Sequence, residues 1–190
     1  MTQTPPNVLL IPGSLRSGSH TTRLLRATGL LVPAPYVTEF ADQVRPLPHY
    51  DADFDGEGST PIVVSTRAAL QAAAGLIIST PEYNGTIPGG LKNWVDWVTR
   101  PVKAHVLVGK PIAIVGAAPG SKGAVKAVTW LRDTLSALGA VVVGEPVAIA
   151  DVVNKVDDDG SFVDEVQEQL LAVVDALVAA LAVPADATPS

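Results

Sequence analysis

The stretch Gly13–Thr21, "GSLRSGSHT", sets three serines, one threonine, two glycines and one arginine between an apolar run and a helix-like pattern. These residue types hold anions. Hydroxyls and backbone N–H groups donate hydrogen bonds, and a helix start adds partial positive charge. Two nucleotide templates fail here. A Walker A loop needs lysine directly after its second glycine, and Ser19 follows Gly18. The dinucleotide fingerprint G-x-G-x-x-G breaks at Leu15. What remains suits a terminal phosphomonoester held by many hydrogen bonds, without magnesium. Arg16 is the loop's cation, and each charge-assisted bond from Ser14, Arg16, Ser19 or Thr21 is worth roughly 1.5–3 kcal/mol. An ordinary β–α turn whose serines cap the helix is the competing reading.

A second segment, "STPEYNGTIPGGLKNWVDW" (Ser79–Trp97), also carries chemistry. Pro81 fixes its own φ and biases Thr80 to an extended backbone, while Gly85 lets the chain approach a flat ligand closely. "NG" is a hairpin signal, but "TIPGGL" cannot continue as a strand, which favours a binding loop. "DADFDG" (Asp51–Gly56) copies half of a calcium loop, yet position twelve is Ile62 and no helix precedes it. It reads instead as a mobile acidic loop near the site's mouth or a subunit interface. Trp94 and Trp97, three apart, belong in the core or in a dimer interface. Lys92, Asp96 and Arg100 form an i, i+4, i+8 ladder on a solvated helix face.

Strands and helices must position these loops. Apolar runs suggest strands near Asn7–Pro12, Tyr36–Phe40, Gly75–Thr80, Pro111–Gly116 and Ala140–Ala150. Helical patterns lie near His20–Leu31, Pro61–Ala73, Gly90–Thr99, Gly123–Leu138 and Ser161–Leu181. "VLLI", "LIIS" and "IAIV" are continuous apolar runs, as in strands buried on both faces. Strict alternation implies an α/β fold, a doubly wound parallel sheet with helices on both faces. In the five-stranded order 2-1-3-4-5 the first and third strands flank the switch point where ligands bind, so both special loops fall at one crevice. Gly139 stands where a glycine ends a helix, and Ser161 with Asp164 spells a capping box. One domain over 1–183 and a frayed tail at 184–190 complete the layout.

Composition removes other classes. With 47% hydrophobic and 17% charged residues, the 190-residue chain can bury a core. Without cysteine there is no disulfide, thiol nucleophile or cysteine-bound metal. A net charge of −6 with scattered cations gives no basic stripe for nucleic acid or an anionic membrane. No leader and no apolar run of membrane-spanning length is visible, so a cytoplasmic protein is expected.

"GSLRSGS" (Gly13–Ser19), "PEYNGTIPGGLKNWVDW" (Pro81–Trp97) and "VGAAPGSKG" (Val115–Gly123) together resemble the NAD(P)H-dependent FMN reductases, a family that includes quinone, chromate and azo-dye reductases. The resemblance covers almost the whole chain. It implies a flavodoxin-like fold, non-covalent FMN, and a homodimer or homotetramer. By it, Gly13, Ser14, Arg16, Ser19, Thr21 and the backbone of His20 hold the FMN phosphate. Pro81, Glu82, Tyr83, Asn84 and Gly85 wrap the ring and ribityl chain, and Ala117 with its neighbours borders the ring's other edge. The family often has asparagine where this chain has Thr21. The implied activity passes a hydride from NAD(P)H through bound FMN to a small acceptor (a quinone, free flavin, azo compound or metal oxyanion) in a ping-pong cycle without catalytic side chains. A flavodoxin-like electron carrier and a flavin-free binding domain are the alternatives.

Overall fold

The computed structural model describes residues 4–157 and 161–183. In chain order it has β1 (Asn7–Pro12), α1 (His20–Leu30), β2 (Val37–Phe40), α2 (Pro61–Ala72), β3 (Gly75–Thr80) and α3 (Gly89–Val98). β4 (Pro111–Ala117), α4 (Val125–Ala137), β5 (Val141–Val142), β6 (Val147–Ile149) and α5 (Asp164–Leu181) follow. Every pairing is parallel, in the order β2-β1-β3-β4, with β5 and β6 both on the far edge of β4. This is the flavodoxin-like, doubly wound sheet that the alternating sequence pattern implies.

Side chains leave a strand alternately to its two faces, and here both faces are covered. Leu9, Ile11, Leu76, Ile78, Ile112 and Ile114 pack on α2, α3 and α4. Val8, Leu10, Ile77, Ala113 and Val115 meet Leu24 and Leu25 of α1 and Val166 and Leu170 of α5. That double burial is why the strands read as unbroken apolar runs, each large side chain contributing roughly 1.5–3 kcal/mol. Trp94 and Trp97 are each only 1% exposed within this one chain, so they are core residues and leave no surface for an interface. The Trp97 ring lies edge-on to Tyr50, centroids 4.9 Å apart, and its Nε1 donates to the Pro48 carbonyl at 2.8 Å.

The structure corrects several expectations. The strand foreseen at Ala140–Ala150 is broken into β5 and β6. Pro146 has no N–H to give the ladder. Gly144 turns the chain at φ +64°, beneath α5, where a Cβ would lie 3.1 Å from that of Ala176. The capping box is not formed, because Val163 is the N-cap of α5 and contributes no side-chain bond. The acidic segment has local structure and a side-chain link to α2. It folds into two short 3₁₀ turns, and Asp55 pairs with Arg67 at 2.8 Å while Arg67 also donates to the Trp97 carbonyl. The charge ladder is half formed: Lys92 meets Asp96 at 2.6 Å, but Arg100, past the end of α3, donates to the Tyr50 hydroxyl. The tail at 184–190 lies outside the described residues.

Gly139 behaves as its sequence position implies. At φ +90° its N–H bonds the Ser136 carbonyl while Ala140 bonds Leu135, the double closure of a Schellman motif. In the segment leading to β4, His105 is buried and its Nδ1 accepts the Leu107 N–H at 3.3 Å.

Candidate functional site

β1 and β3 are neighbours, and so are β3 and β4, so the loops at 13–19, 81–86 and 118–124 leave the same edge of the sheet side by side. The first begins with a close fit. Gly13 donates to the Ser79 carbonyl at 2.8 Å, and a Cβ on Gly13 would come within 2.2 Å of that oxygen. Only glycine can occupy the turn. Ser14 is buried, and its Oγ accepts the Arg16 backbone N–H at 3.4 Å. The Arg16 side chain is exposed and has no protein partner among the described residues.

Ser19 is the N-cap of α1. Its Oγ accepts the Thr22 N–H at 3.2 Å and shares a 2.9 Å hydrogen bond with the Thr21 hydroxyl. The capping reading is therefore realised at Ser19, and it is compatible with anion binding. The first helical bond runs from Arg23 to the Ser19 carbonyl, which leaves the N–H groups of His20 and Thr21 outside the helix ladder. Hydroxyls, orphan amides and the helix dipole thus converge at one end of α1, the donor set that a terminal phosphate needs. Thr21 contributes a hydroxyl at this helix start, bonded to that of Ser19.

After β3, Thr80 Oγ1 donates to the Pro81 carbonyl at 2.8 Å. Tyr83 and Thr86 then exchange backbone bonds of 2.9 and 3.1 Å around Asn84 and Gly85, at φ +53° and +79°. Two positive φ values mark a type I′ turn, so the "NG" signal does make a hairpin, of one rung only. The chain then leaves for Pro88 and α3 instead of continuing as a strand. The Glu82 carboxylate reaches across to accept the Lys126 N–H at 3.0 Å, a link from this turn to α4 that backbone-centred reasoning missed. Beside it an opening of about 440 Å³ is lined by Glu82, Lys122, Val125 and Lys126.

Ala117 ends β4 with its methyl in the core against the α1 and α5 layer, so a ligand at this edge would meet residues 118–123 rather than that side chain. Those residues are buttressed from behind. Ala118 donates to Ile149, Asp151 to Gly120 and Val152 to Ala118. Gly123 lies 2.9 Å by its would-be Cβ from the Ala148 carbonyl. Sequence reasoning also placed Arg16 alone. Arg26 and Arg45 join it around a cleft on the β2 side of the first loop. The Thr22–Arg26 spacing of one turn was readable as one helix face, whereas Arg45 arrives from beyond β2 and had no sequence signal.

A doubly wound parallel sheet whose phosphate-type loop and second recognition loop meet at the switch point defines a flavodoxin-like mononucleotide binder. Comparison with known proteins narrows the class. The family model for NADPH-dependent FMN reductase matches residues 6–154. An NAD(P)H-dependent FMN reductase of Pseudomonas aeruginosa is 38% identical over 172 residues, 87% of this chain and 92% of that protein. A quinone reductase of Escherichia coli K12 is 35% identical over 83% of this chain and 85% of its own. Among solved structures, the flavoenzyme NAD(P)H:(acceptor) oxidoreductase FerB of Paracoccus denitrificans superposes with a TM-score of 0.78 at 29% identity, covering 92% and 98% of the two chains. The chain belongs to the NADPH-dependent FMN reductase family, flavoenzymes that work with FMN and NAD(P)H. No helix among the described residues is long and apolar enough to cross a membrane.

Proposed function

We propose that this protein reduces a small acceptor, of which a quinone is the first to test, at the expense of NAD(P)H, in two half-reactions that use the same crevice in turn. The observation that carries this reading is the meeting of three loops at one sheet edge, with buried hydroxyls and orphan amides at α1 and a rigid turn at Tyr83–Thr86 bonded onward to α4. The redox chemistry would be that of bound FMN, a hydride acceptor toward NAD(P)H and an electron donor toward the small acceptor.

The chain's own part is binding and orientation. Ser14, Ser19 and Thr21, the N–H groups of His20 and Thr21, and the Arg16 guanidinium hold the phosphate, while Gly13 lets the loop sit against β3. Pro81, Glu82, Tyr83, Asn84 and Gly85 present backbone to the ring's polar edge, and Glu82 anchors that turn to α4. Residues 118–123 line the opposite side. Orientation of two reactants at one position is a large rate term by itself, and this mechanism asks for no nucleophile or general acid. A homodimer fits the apolar rim of the crevice, where Tyr83 in its turn and Val125 at the start of α4 stand 41% and 51% exposed.

The test is direct. Purified protein should carry, or take up, one FMN per chain with a flavin absorbance spectrum, and should then oxidise NAD(P)H in the presence of a quinone. Bound flavin without such turnover would indicate an electron carrier. Absence of flavin binding would overturn the reading.

A further inference from the structure

We propose that the cleft on the β2 side of the first loop is a second phosphomonoester-binding subsite, adjoining the one that holds the FMN phosphate and built chiefly on Arg26 and Arg45. Its connection to NADPH rests on the function proposed above, but its capacity to bind phosphate does not. The cleft measures about 320 Å³ and is walled by Arg16, Arg26 and Arg45, with Ser14, Ser17 and Thr22 also in its lining. Such a volume takes a nucleotide fragment.

Three of the chain's seven arginines meet here, on a protein whose net charge is −6. Among the described residues no carboxylate pairs with any of the three. Arg16 also serves the FMN phosphate, so Arg26 and Arg45 are the cations particular to this cleft; like charges gathered without a counter-ion repel one another, and a bound dianion relieves that repulsion. The guanidiniums are also held in place. Arg26 lies over the Phe40 ring at 4.2 Å from its centroid, and Arg45 donates to the Leu15 carbonyl. Stacking on the face of an aromatic leaves the edge of the guanidinium, with its N–H groups, available for bidentate contact with phosphate. On the α1 wall, the Thr22 hydroxyl is shielded from water and has no hydrogen-bond partner among the described residues.

Most of this cleft lies apart from the FMN site. Its walls come from the first loop (Ser14, Leu15, Arg16 and Ser17), α1, the end of β2 and the segment just beyond; Ser14 and Arg16 border both sites, but Ser19, His20, Thr21 and the Tyr83–Thr86 turn take no part in it. β1 stands between β2 and β3 in the sheet, so the cleft opens on the other side of that strand from the ring-binding loop. The ligand chemistry is a dianionic phosphomonoester. It could be the 2′-phosphate of NADPH, which NADH lacks, or a free phosphate.

The experiment titrates FMN-loaded protein with 2′,5′-ADP, adenosine and inorganic phosphate by calorimetry, using wild type, Arg26→Gln and Arg45→Gln. The two substitutions act on different elements, so a folding defect in one leaves the other informative. Each should weaken 2′,5′-ADP by about tenfold or more, the worth of a lost charge-assisted bond, while adenosine binds poorly throughout. FMN affinity, measured by fluorescence on the apo-protein, should change less than about twofold, as for independent sites. Tighter binding of 2′,5′-ADP than of inorganic phosphate identifies NADPH as the source, and the KM for NADPH then rises in both variants while that for NADH does not. Equal binding identifies free phosphate. The proposal is overturned if wild type binds neither probe, if both variants bind them as wild type does, or if FMN and 2′,5′-ADP are lost together. A wild type that takes up no flavin would sink the enzymatic reading alone, and the phosphate titration on that protein would still decide the cleft.

Discussion

The Glu82 carboxylate accepts the backbone N–H of Lys126 at 3.0 Å, tying the turn after β3 to the first turn of α4. An acceptor at a helix start is worth about 1 kcal/mol. Glu82→Ala should therefore lower stability by about that amount and weaken FMN, since the turn loses its anchor. Glu82→Gln keeps a carbonyl acceptor and should be milder on both counts. Urea unfolding and a flavin fluorescence titration check this, and identical behaviour of the two variants would remove the anchoring role.

Arg16 is the exposed cation of the loop at 13–19, to which the proposed function gives the FMN phosphate. Arg16→Ala should weaken FMN by roughly 10- to 100-fold, as expected for one lost charge-assisted contact, and leave riboflavin affinity nearly unchanged. Equal losses for the two flavins would refute the phosphate assignment.

Gly85 sits at φ +79°, where an added Cβ finds only the Lys126 side chain at 3.8 Å. The penalty for substitution is thus conformational rather than steric, roughly 1–2 kcal/mol and more for a β-branched residue. Gly85→Val should reduce FMN affinity and NAD(P)H-dependent quinone reduction together while the far-ultraviolet circular dichroism stays that of a folded α/β protein. Full activity would mean that the loop is only a turn.

Burial holds the His105 imidazole below its ordinary value of 6.5, and the nearby Arg100 guanidinium pushes the same way against a bond to the Leu138 backbone. Protonation would also remove Nδ1 as acceptor for Leu107. With the folded value depressed, the unfolded chain binds the extra proton first, so the stability contribution is complete above pH 6.5 and is lost as the pH falls further. Urea midpoints measured from pH 7.5 down to pH 5 should drop in wild type, whereas His105→Asn should give a flatter profile. Parallel profiles would assign the acid sensitivity to other groups.

Assembly can be read by light scattering at micromolar concentration. A dimer that buries the Tyr83–Val125 rim should dissociate on Val125→Asp. A monomer in the wild type would leave that rim without a partner.

The sheet was legible because its strands are buried on both faces and carry no polar alternation to confuse them. β1, α1, β3 and α3 fall within a residue of their expected limits. What failed was tertiary in origin. A proline and a left-handed glycine broke the last strand, and Arg67, reaching from α2, pairs with Asp55 in an acidic segment that composition alone marks as loose. In the candidate site, the cluster of donors at 13–21 could be read from residue types, because hydroxyls, glycine and a helix start are local features. The Glu82–Lys126 bond and the approach of Arg45 to Leu15 span 44 and 30 positions, beyond any local pattern.

The pairing of β1 with β3 has a consequence for how the protein comes into being. Val8 lies opposite Gly75, and Thr80 opposite Gly116, so the crevice has no floor until segments far apart in the chain have met. Parallel pairing across such separations is slow, because closure entropy is spent before contacts return it. A nascent chain that has exposed only the phosphate loop has nothing on which a flavin ring can rest. FMN should therefore act late, as a ligand that draws the nearly finished sheet toward its final state, rather than as a template that starts it.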